Sequence, residues 1–366
     1  MISIIINDQT KESLKDALDN LVSQEQVQSI LLYIGADFKL DTTALSLQLQ
    51  SIDKTIIGGI FPEVIRNGER RGDSAILLGL PFPMSYIVVQ SFDEDVIVET
   101  IAEGLNEDID DTSSFLVFVD ALTRNKTVLF DCLYNHYGSV PNYLGGGAGT
   151  LKFEPLPCVV SNKGMLKGAA VVATIPRKIN LGVSHGWSPI STQLKVTEVA
   201  NNEIISLDWK PAMEVYQAII EDHSKKAFNF NDFFNSTKSY PFGIQKLNDN
   251  TIVRDPFKTE NGRVFLLDDV DEGSYVQILY GNLDSLIKGA SEARKKAENA
   301  TAKVNNTLII DCISRVLFME DKFEEELKKL DPLSNSFGAL TLGEIANNGD
   351  EYLDIYNKTA VVGIFE

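Results

Sequence analysis

Apolar runs and amphipathic stretches follow one another along this chain in an order that recurs three times. The segment Ile30-Leu-Leu-Tyr-Ile-Gly35 is a short unbroken apolar run, the pattern of a strand buried on both faces. A helix is predicted from about Asp41 to Gln50. A second strand then reaches Ile57-Gly58-Gly59, a turn falls at Asn67-Gly68-Glu69, and a terminal strand runs over Ala75-Ile-Leu-Leu-Gly-Leu80. The same order returns with the strand Phe115-Leu-Val-Phe-Val-Asp120, a helix from about Thr127 to Tyr137 and the glycine-bearing strand end Tyr143-Leu144-Gly145-Gly146-Gly147. A turn at Asn162-Lys163-Gly164 leads to the closing strand Gly168-Ala-Ala-Val-Val-Ala173. The third copy has Leu308-Ile-Ile-Asp311, a charged helix from about Met319 to Leu330 and Ser336-Phe337-Gly338-Ala339. It ends with a turn at Gly349 and the strand Thr359-Ala-Val-Val-Gly-Ile364.

Each copy is preceded by an amphipathic helix, predicted at Thr10 to Leu21, Asp93 to Glu103 and Asn282 to Ala302. Leu14, Leu18 and Leu21 recur on one helical face. Asp284 and Ser285 stand near the start of the last of these helices, where they suit an N-cap. Strands alternating with helices favour parallel pairing with helices on the sheet faces. The expected fold class is therefore α/β, built of repeated helix–strand–helix–strand–hairpin units with pseudo-threefold character. Residues 182–281 break the pattern with strand-like runs and one helix from Pro211 to His223, an inserted mostly-β region. The expected division is a domain over 1–181 holding two units, and a domain over 182–366 holding the insertion (182–281) and the third unit (282–366).

Composition narrows the class. The chain has 366 residues, 44% hydrophobic and 23% charged, enough to bury a full core and too apolar for overall disorder. Its 52 acidic against 33 basic residues give a formal charge of −19, which repels nucleic-acid phosphates and anionic lipids. No apolar run approaches the roughly 20 residues that span a bilayer. Met1 to Asn7 lacks the basic start and cleavage site of a signal peptide. A cytoplasmic protein without nucleic-acid or membrane partners is expected. Cys132, Cys158 and Cys312 are widely spaced free thiols, with no CxxC motif for a metal or redox site.

Several segments taken in order carry a family resemblance. They are Gly145-Gly146-Gly147-Ala148-Gly149, Gly182-Val-Ser-His-Gly-Trp-Ser-Pro189, Val196-Thr197 with Leu207-Asp208, and Pro211-Ala212-Met213-Glu214-Val215-Tyr216. Tyr240-Pro241-Phe242-Gly243 and Val253-Arg254 follow. Last come Cys312-Ile-Ser-Arg315, Gly338-Ala-Leu-Thr-Leu-Gly-Glu-Ile345 and Tyr356-Asn357-Lys358-Thr359. Together they resemble the FIST sensory family, in both its N-terminal and C-terminal domains, over almost the whole chain. The resemblance implies a sensor for small molecules such as amino acids or their derivatives. It also implies coupling to a histidine kinase or a cyclic-dinucleotide enzyme, here as a separate partner. Some relatives are haem-binding nitric oxide sensors. The chain departs from the family pattern at Tyr356-Asn357, where relatives carry His-Asn, and at Gly58-Gly59-Ile60-Phe61-Pro62-Glu63, where a Gly-Ser/Thr-rich turn is usual.

The candidate ligand-binding residues are Gly145, Gly146, Gly147, His185, Trp187, Cys312, Arg315, Thr341, Glu344 and Asn357. Glycines without Cβ let a backbone approach a ligand, or serve a turn or bulge. Cys312 and Arg315 follow a strand end, where open α/β sheets place ligands. Arg315 is expected to hold a ligand carboxylate in bidentate fashion, with Glu344 taking an ammonium group opposite; an internal ion pair is the alternative. Thr341 and Asn357 add hydroxyl and amide groups to the same mouth. His185 is a ligand contact, an axial haem ligand or a structural histidine. No GxSxG elbow exists, and Cys132 with His136 is only an i, i+4 pair, so no catalytic residue and no resident metal are expected. The chain is read as a sensor and not an enzyme, its ligand held between the repeat scaffold and the insertion. Haem-based gas sensing and a hydrolase or lyase in the same cleft are the alternatives.

Overall fold

The computed structural model describes residues 1–7, 11–105, 109–246, 251–301, 306–347 and 352–366. The turn expected at Gly349 lies outside the described residues, as do Thr10 and Ala302, the expected first and last residues of two helices. The protein is α/β, with three six-stranded mixed sheets and a fourth, nine-stranded sheet. The continuous apolar runs become the central strands Ser29–Gly35, Ser114–Asp120 and Thr307–Cys312, buried along their whole length. Each pairs in parallel with the strand after its helix: Thr55–Phe61, Asn142–Ala148 and Ser336–Thr341 respectively. On its other side each pairs antiparallel with a closing strand: Ala75–Leu80, Ala170–Ile175 or Ala360–Phe365. Beyond the closing strands lie the edge strands Ile2–Ile6, Ser85–Val89 and Ile179–Ser184.

The remaining edge of each sheet is completed by a hairpin from a different part of the chain. Val159–Ser161 and Gly164–Leu166 extend the first sheet beside Thr55–Phe61. Glu344–Ala346 and Asp354–Tyr356 extend the second beside Asn142–Ala148. Glu63–Arg66 and Glu69–Arg71 extend the third beside Ser336–Thr341. The three sheets thus share one strand order, and each sheet covers its exposed edge with another's hairpin.

Alternation along the strands sorts the cores. Leu116, Phe118, Leu308 and Ile310 face a central core shared with the first sheet, where Tyr33, Phe61 and Phe118 meet edge to face at 5.6–5.8 Å. Phe115, Val117 and Val119 face the helices Glu94–Gly104 and Lys126–Tyr137. Ile309 and Leu340 face Leu283–Asn299 and Phe323–Leu330. Gly58, Gly145 and Gly338 occupy the same register, opposite Leu32, Val117 and Ile309. A Cβ at any of them would lie 1.9, 1.7 or 1.8 Å from the facing carbonyl oxygen, so each parallel pair needs glycine there.

Three sequence expectations change. Ile179–Ser184 belongs to the third sheet through its pairing with Ala360–Phe365, so a boundary at 182 cuts through a strand. The charged helix expected from about Met319 begins only at Phe323 and runs to Leu330, after a 3₁₀ turn at Glu320–Lys322, and a further helix, Ile313–Met319, follows the central strand directly. The N-cap before Leu283 is Asn282, whose side chain accepts the Ser285 N–H while the Ser285 hydroxyl accepts the Asn282 N–H, both at 3.0 Å. The insertion is a nine-stranded sheet with the helix Ala212–Ser224 packed on it around a core of its own. Among the described residues no helix is long and apolar enough to cross a membrane.

Candidate functional site

The common strand order lets the three six-stranded sheets be compared position by position. Asp311 stands two residues beyond the partner of Gly338; the matching positions are Ile34 and Val119. Thr341 matches Phe61 and Ala148, three residues beyond the register glycine. Glu344 precedes Ile345, the partner of Gly145; its counterparts are Val64, before the partner of Gly338, and Val159, before the partner of Gly58. Only the set Asp311, Thr341 and Glu344 is polar at all three positions. Asp311, Thr341 and Glu344 are fully buried there, where unpaired polar groups cost several kcal/mol.

Arg315, on the short helix Ile313–Met319, is also fully buried. Its Nε donates to Glu326 Oε1 at 2.7 Å, and its Nη2 to Glu326 Oε2 at 2.5 Å and the Leu286 carbonyl at 2.9 Å. Its Nη1 donates to the His185 and Lys358 carbonyls at 2.7 and 2.9 Å. Those bonds use all five guanidinium N–H donors. Arg315 therefore has no donor left for a ligand carboxylate, and the expectation that it grips one is corrected: it is the centre of an internal ion pair. Burial alone would lower its pKa, but the carboxylates of Glu326 and Asp311 raise it.

The neighbouring acids are pushed up by the same burial. Burial, then the charge of Glu326, pushes Asp311 well above the usual carboxylate range. Burial, then Asp311, does the same to Glu344. Glu344 accepts the Thr341 hydroxyl at 3.0 Å and the Thr359 N–H at 3.3 Å. It cannot face an ammonium group opposite a free Arg315, because both sides of that arrangement are filled by the protein itself. Cys312 Sγ lies 3.0 Å from the Ser314 hydroxyl, and burial, then Glu344, pushes its thiol well up, the opposite of nucleophile activation. Cys132 is likewise pushed up by burial and by Glu94 and Asp131.

This cluster continues into the insertion. Lys358 Nζ pairs with Asp255 at 3.1 Å and sits 5.4 Å above the Trp187 ring. Asn357 accepts the Asp255 N–H at 3.1 Å and donates to Asp268 Oδ2 at 2.6 Å. Asp268 Oδ1 pairs at 2.7 Å with Lys126, at the start of the helix over the second sheet. Burial would raise the Asp268 pKa, but Lys126 and Arg254 bring it below the ordinary value. Arg254 in turn donates to the Ile355 carbonyl at 2.8 Å and the Asp269 carbonyl at 3.0 Å. One polar nexus thus joins the third sheet, the second sheet and the insertion.

The other expected residues lie around it in packing roles. Gly146 and Gly147 would place a Cβ 2.6 Å from Thr341 Cγ2 and 2.3 Å from the Leu342 carbonyl oxygen, so with Gly145 they admit the protein's own chain. Trp187 is buried, donating its indole N–H to the Lys358 carbonyl at 3.1 Å. His185 Nδ1 accepts the Trp187 N–H at 2.9 Å, and its other nitrogen serves the Thr251 carbonyl. Burial, then Arg315 and Lys296, lowers its pKa to about 4, so the ring is neutral. With both nitrogens engaged, His185 does not fit axial haem ligation. Among the described residues no three His, Cys, Asp or Glu side chains are placed to hold a metal.

Sequence reasoning missed Lys126, Asp255, Asp268 and Glu326. A signal existed for Glu326, which shares the buried stripe of its helix with Phe323, Leu327 and Leu330. The aspartates sit near strand ends, with no periodicity to mark them.

Comparison with known proteins places these residues. The FIST N domain matches residues 28–210 and the FIST C domain residues 212–347. An uncharacterized protein of Methanocaldococcus jannaschii is 23% identical over 235 residues, 61% of this chain and 45% of the relative. The chain thus spans about half the length of the curated relative it matches.

Proposed function

Because this chain belongs to the FIST family, whose domains are associated with sensory signal transduction, we propose that it is a cytoplasmic small-molecule sensor. It recognises amino acids or related metabolites and signals through a separate protein such as a histidine kinase or a cyclic-dinucleotide enzyme. The observation that carries this reading is the Lys126–Asp268–Asn357 and Asp255–Lys358 nexus, which ties the insertion to two parts of the scaffold. Breaking one partner of a buried ion pair costs about 3–5 kcal/mol. A ligand that favours one arrangement of these pairs can therefore shift how the insertion sits, which is what a sensor must convert into output. The shared strand order and the exchanged hairpins support a pseudo-threefold scaffold on which that movement occurs.

The test is a thermal-shift screen of amino acids and related metabolites, followed by hydrogen exchange on the full chain. A stabilising compound that is not turned over, and that alters exchange in residues 251–280, supports the sensor. The effect should disappear in Asp268→Asn. Turnover of the compound would make the chain a hydrolase or lyase instead. A Soret band in the purified protein would make it a haem sensor through residues other than His185.

A further inference from the structure

Each of the three six-stranded sheets ends in two edge strands, and an unpaired edge is a template for pairing with another chain. Five of those edges are closed or blunted by the protein itself. In Gly164–Leu166 the Met165 N–H goes to the Ser46 hydroxyl at 3.0 Å. In Asp354–Tyr356 the Ile355 carbonyl accepts Arg254 Nη1 at 2.8 Å, and the Ile355 N–H donates to Asp354 Oδ1 at 2.8 Å. In Ile179–Ser184 the Val183 carbonyl accepts Lys296 Nζ at 2.9 Å, while Ile179 bonds the Ser114 and Asn142 side chains at 2.9 and 2.7 Å. Glu69–Arg71 is three residues long and charged throughout. In Ser85–Val89 the last three residues are buried.

The sixth edge, Ile2–Ile6, has none of these devices. Its sequence Ile-Ser-Ile-Ile-Ile holds no charge and no proline, and its β-branched residues suit a strand. One side pairs with Ala75–Leu80. Along the other side, among the described residues, no group bonds to its backbone. Ile2, Ile4 and Ile6 pack on the core, which leaves Ser3 and Ile5 on the opposite face, with Ile5 41% exposed. There the Ser3 hydroxyl accepts Arg66 Nη2 at 2.7 Å. A cavity of about 70 Å³ lies on that face beside the strand, lined by Ile5, Asn7, Val64, Arg66 and Ile76 among others.

We propose that this edge pairs with the same strand of a second copy, antiparallel about a two-fold axis at Ile4. In that register Ile2 faces the partner's Ile6, Ser3 faces the partner's Ile5, and Ile4 faces its own equivalent, so no charge is opposed to charge. The partner's Met1 then falls opposite Asn7, on the face that carries the cavity. That space is somewhat more than two waters occupy in the liquid, and it suits an unbranched thioether. The contact is isologous, so both edges and both cavities are filled at once. With −19 on each chain, two copies repel over much of their surface, and an uncharged strand is where they meet at least cost. The pairing is independent of the sensor reading and stands whether or not a ligand is found.

The test is the mass of the full chain by light scattering and sedimentation between about 1 and 100 µM. A species of twice 40.5 kDa that grows with concentration is expected. Ile5→Lys puts a charge on the edge and should weaken association by about tenfold or more, with a melting temperature to show that the variant is folded. Cross-linking reads the register without depending on that variant. Ile4→Cys sets two thiols opposite each other, within disulfide reach, and diamide should oxidise them to a disulfide between the copies. The native cysteines are buried and do not compete. Ile2→Cys sets its two thiols four residues apart along the pair, roughly 13 Å, and should not link. A dimer in which Ile4→Cys does not link, one that folded Ile5→Lys leaves as tight, or Ile2→Cys linking as readily would overturn the inference. A monomer at every concentration would overturn it too, and would leave the edge to a strand of another protein.

Discussion

Glu344→Gln gives the sharpest test of the buried cluster. Glu344 is fully buried beside Asp311, and both carboxyls are pushed well above their ordinary range. The folded state therefore holds a proton that the unfolded chain gives up at about pH 4.3. Stability from such a group is fully present below the unfolded pKa and is lost as pH rises towards the folded one. Over that window each group lowers unfolding free energy by about 1.4 kcal/mol per pH unit. Glutamine copies the shape without the proton: its oxygen can accept the Thr359 N–H while its NH₂ faces the Thr341 hydroxyl, which can turn to accept it. The substitution should change stability by only about 1 kcal/mol at pH 5.5, the scale of one altered hydrogen bond. Relative to that offset the variant should gain steadily on the parent as pH rises above the ordinary glutamate range. Urea unfolding at a series of pH values, with unchanged m, measures the difference directly. Parallel pH profiles for the two proteins would mean that Glu344 is ionised in the fold, and the description of the cluster would be wrong.

Two further outcomes follow from the geometry. Arg315→Met leaves Glu326 and Asp311 buried without their cation and should cost about 3–5 kcal/mol in urea unfolding; a loss under about 1 kcal/mol would show that Arg315 is not the hub of the ion pair. Gly145→Ala puts a Cβ 1.7 Å from the Val117 carbonyl oxygen and should prevent soluble expression. The control Gly168→Ala, at φ +59° with no heavy atom within 4 Å of the added Cβ, should cost roughly 1–2 kcal/mol by thermal melting.

Element order was legible because each central strand is an unbroken apolar run and each helix has its own period. Strand partners were not. Glu63–Arg66 reads locally as part of a hairpin, but it completes a sheet whose neighbouring strand begins at Ser336; Arg66 reaches the Ser336 carbonyl across 270 positions. Alternation fixes which face a strand buries, not which strand it meets. Within the site, Cys312, Arg315, Thr341, Glu344 and Asn357 were named from short motifs, and they do lie in one buried cluster. Their chemistry was not legible. Whether Arg315 is free depends on the carbonyls of His185, Leu286 and Lys358, none of which leaves a mark in the side-chain pattern.

The comparison of the three sheets separates what the fold needs from what it does not. The corresponding positions elsewhere are Ile34, Phe61 and Val64, and Val119, Ala148 and Val159, all apolar. The sheet can evidently be built without a buried acid there. At Asp311 and Glu344 burial pushes both carboxyls well above the ordinary range, a cost that packing alone does not explain. Their location supplies another account. Glu344 sits on the hairpin that follows the third-sheet strand Ser336–Thr341 and pairs with Gly146 in the second sheet. The same hairpin leads through Tyr356 to Asn357 and Lys358, which hold Asp268 and Asp255 of the insertion. A proton or ligand that changes this hairpin therefore acts on the third sheet, the second sheet and the insertion at once. The aliphatic counterparts Val64 and Val159 carry no charge or hydrogen bond through which the other two hairpins could do the same.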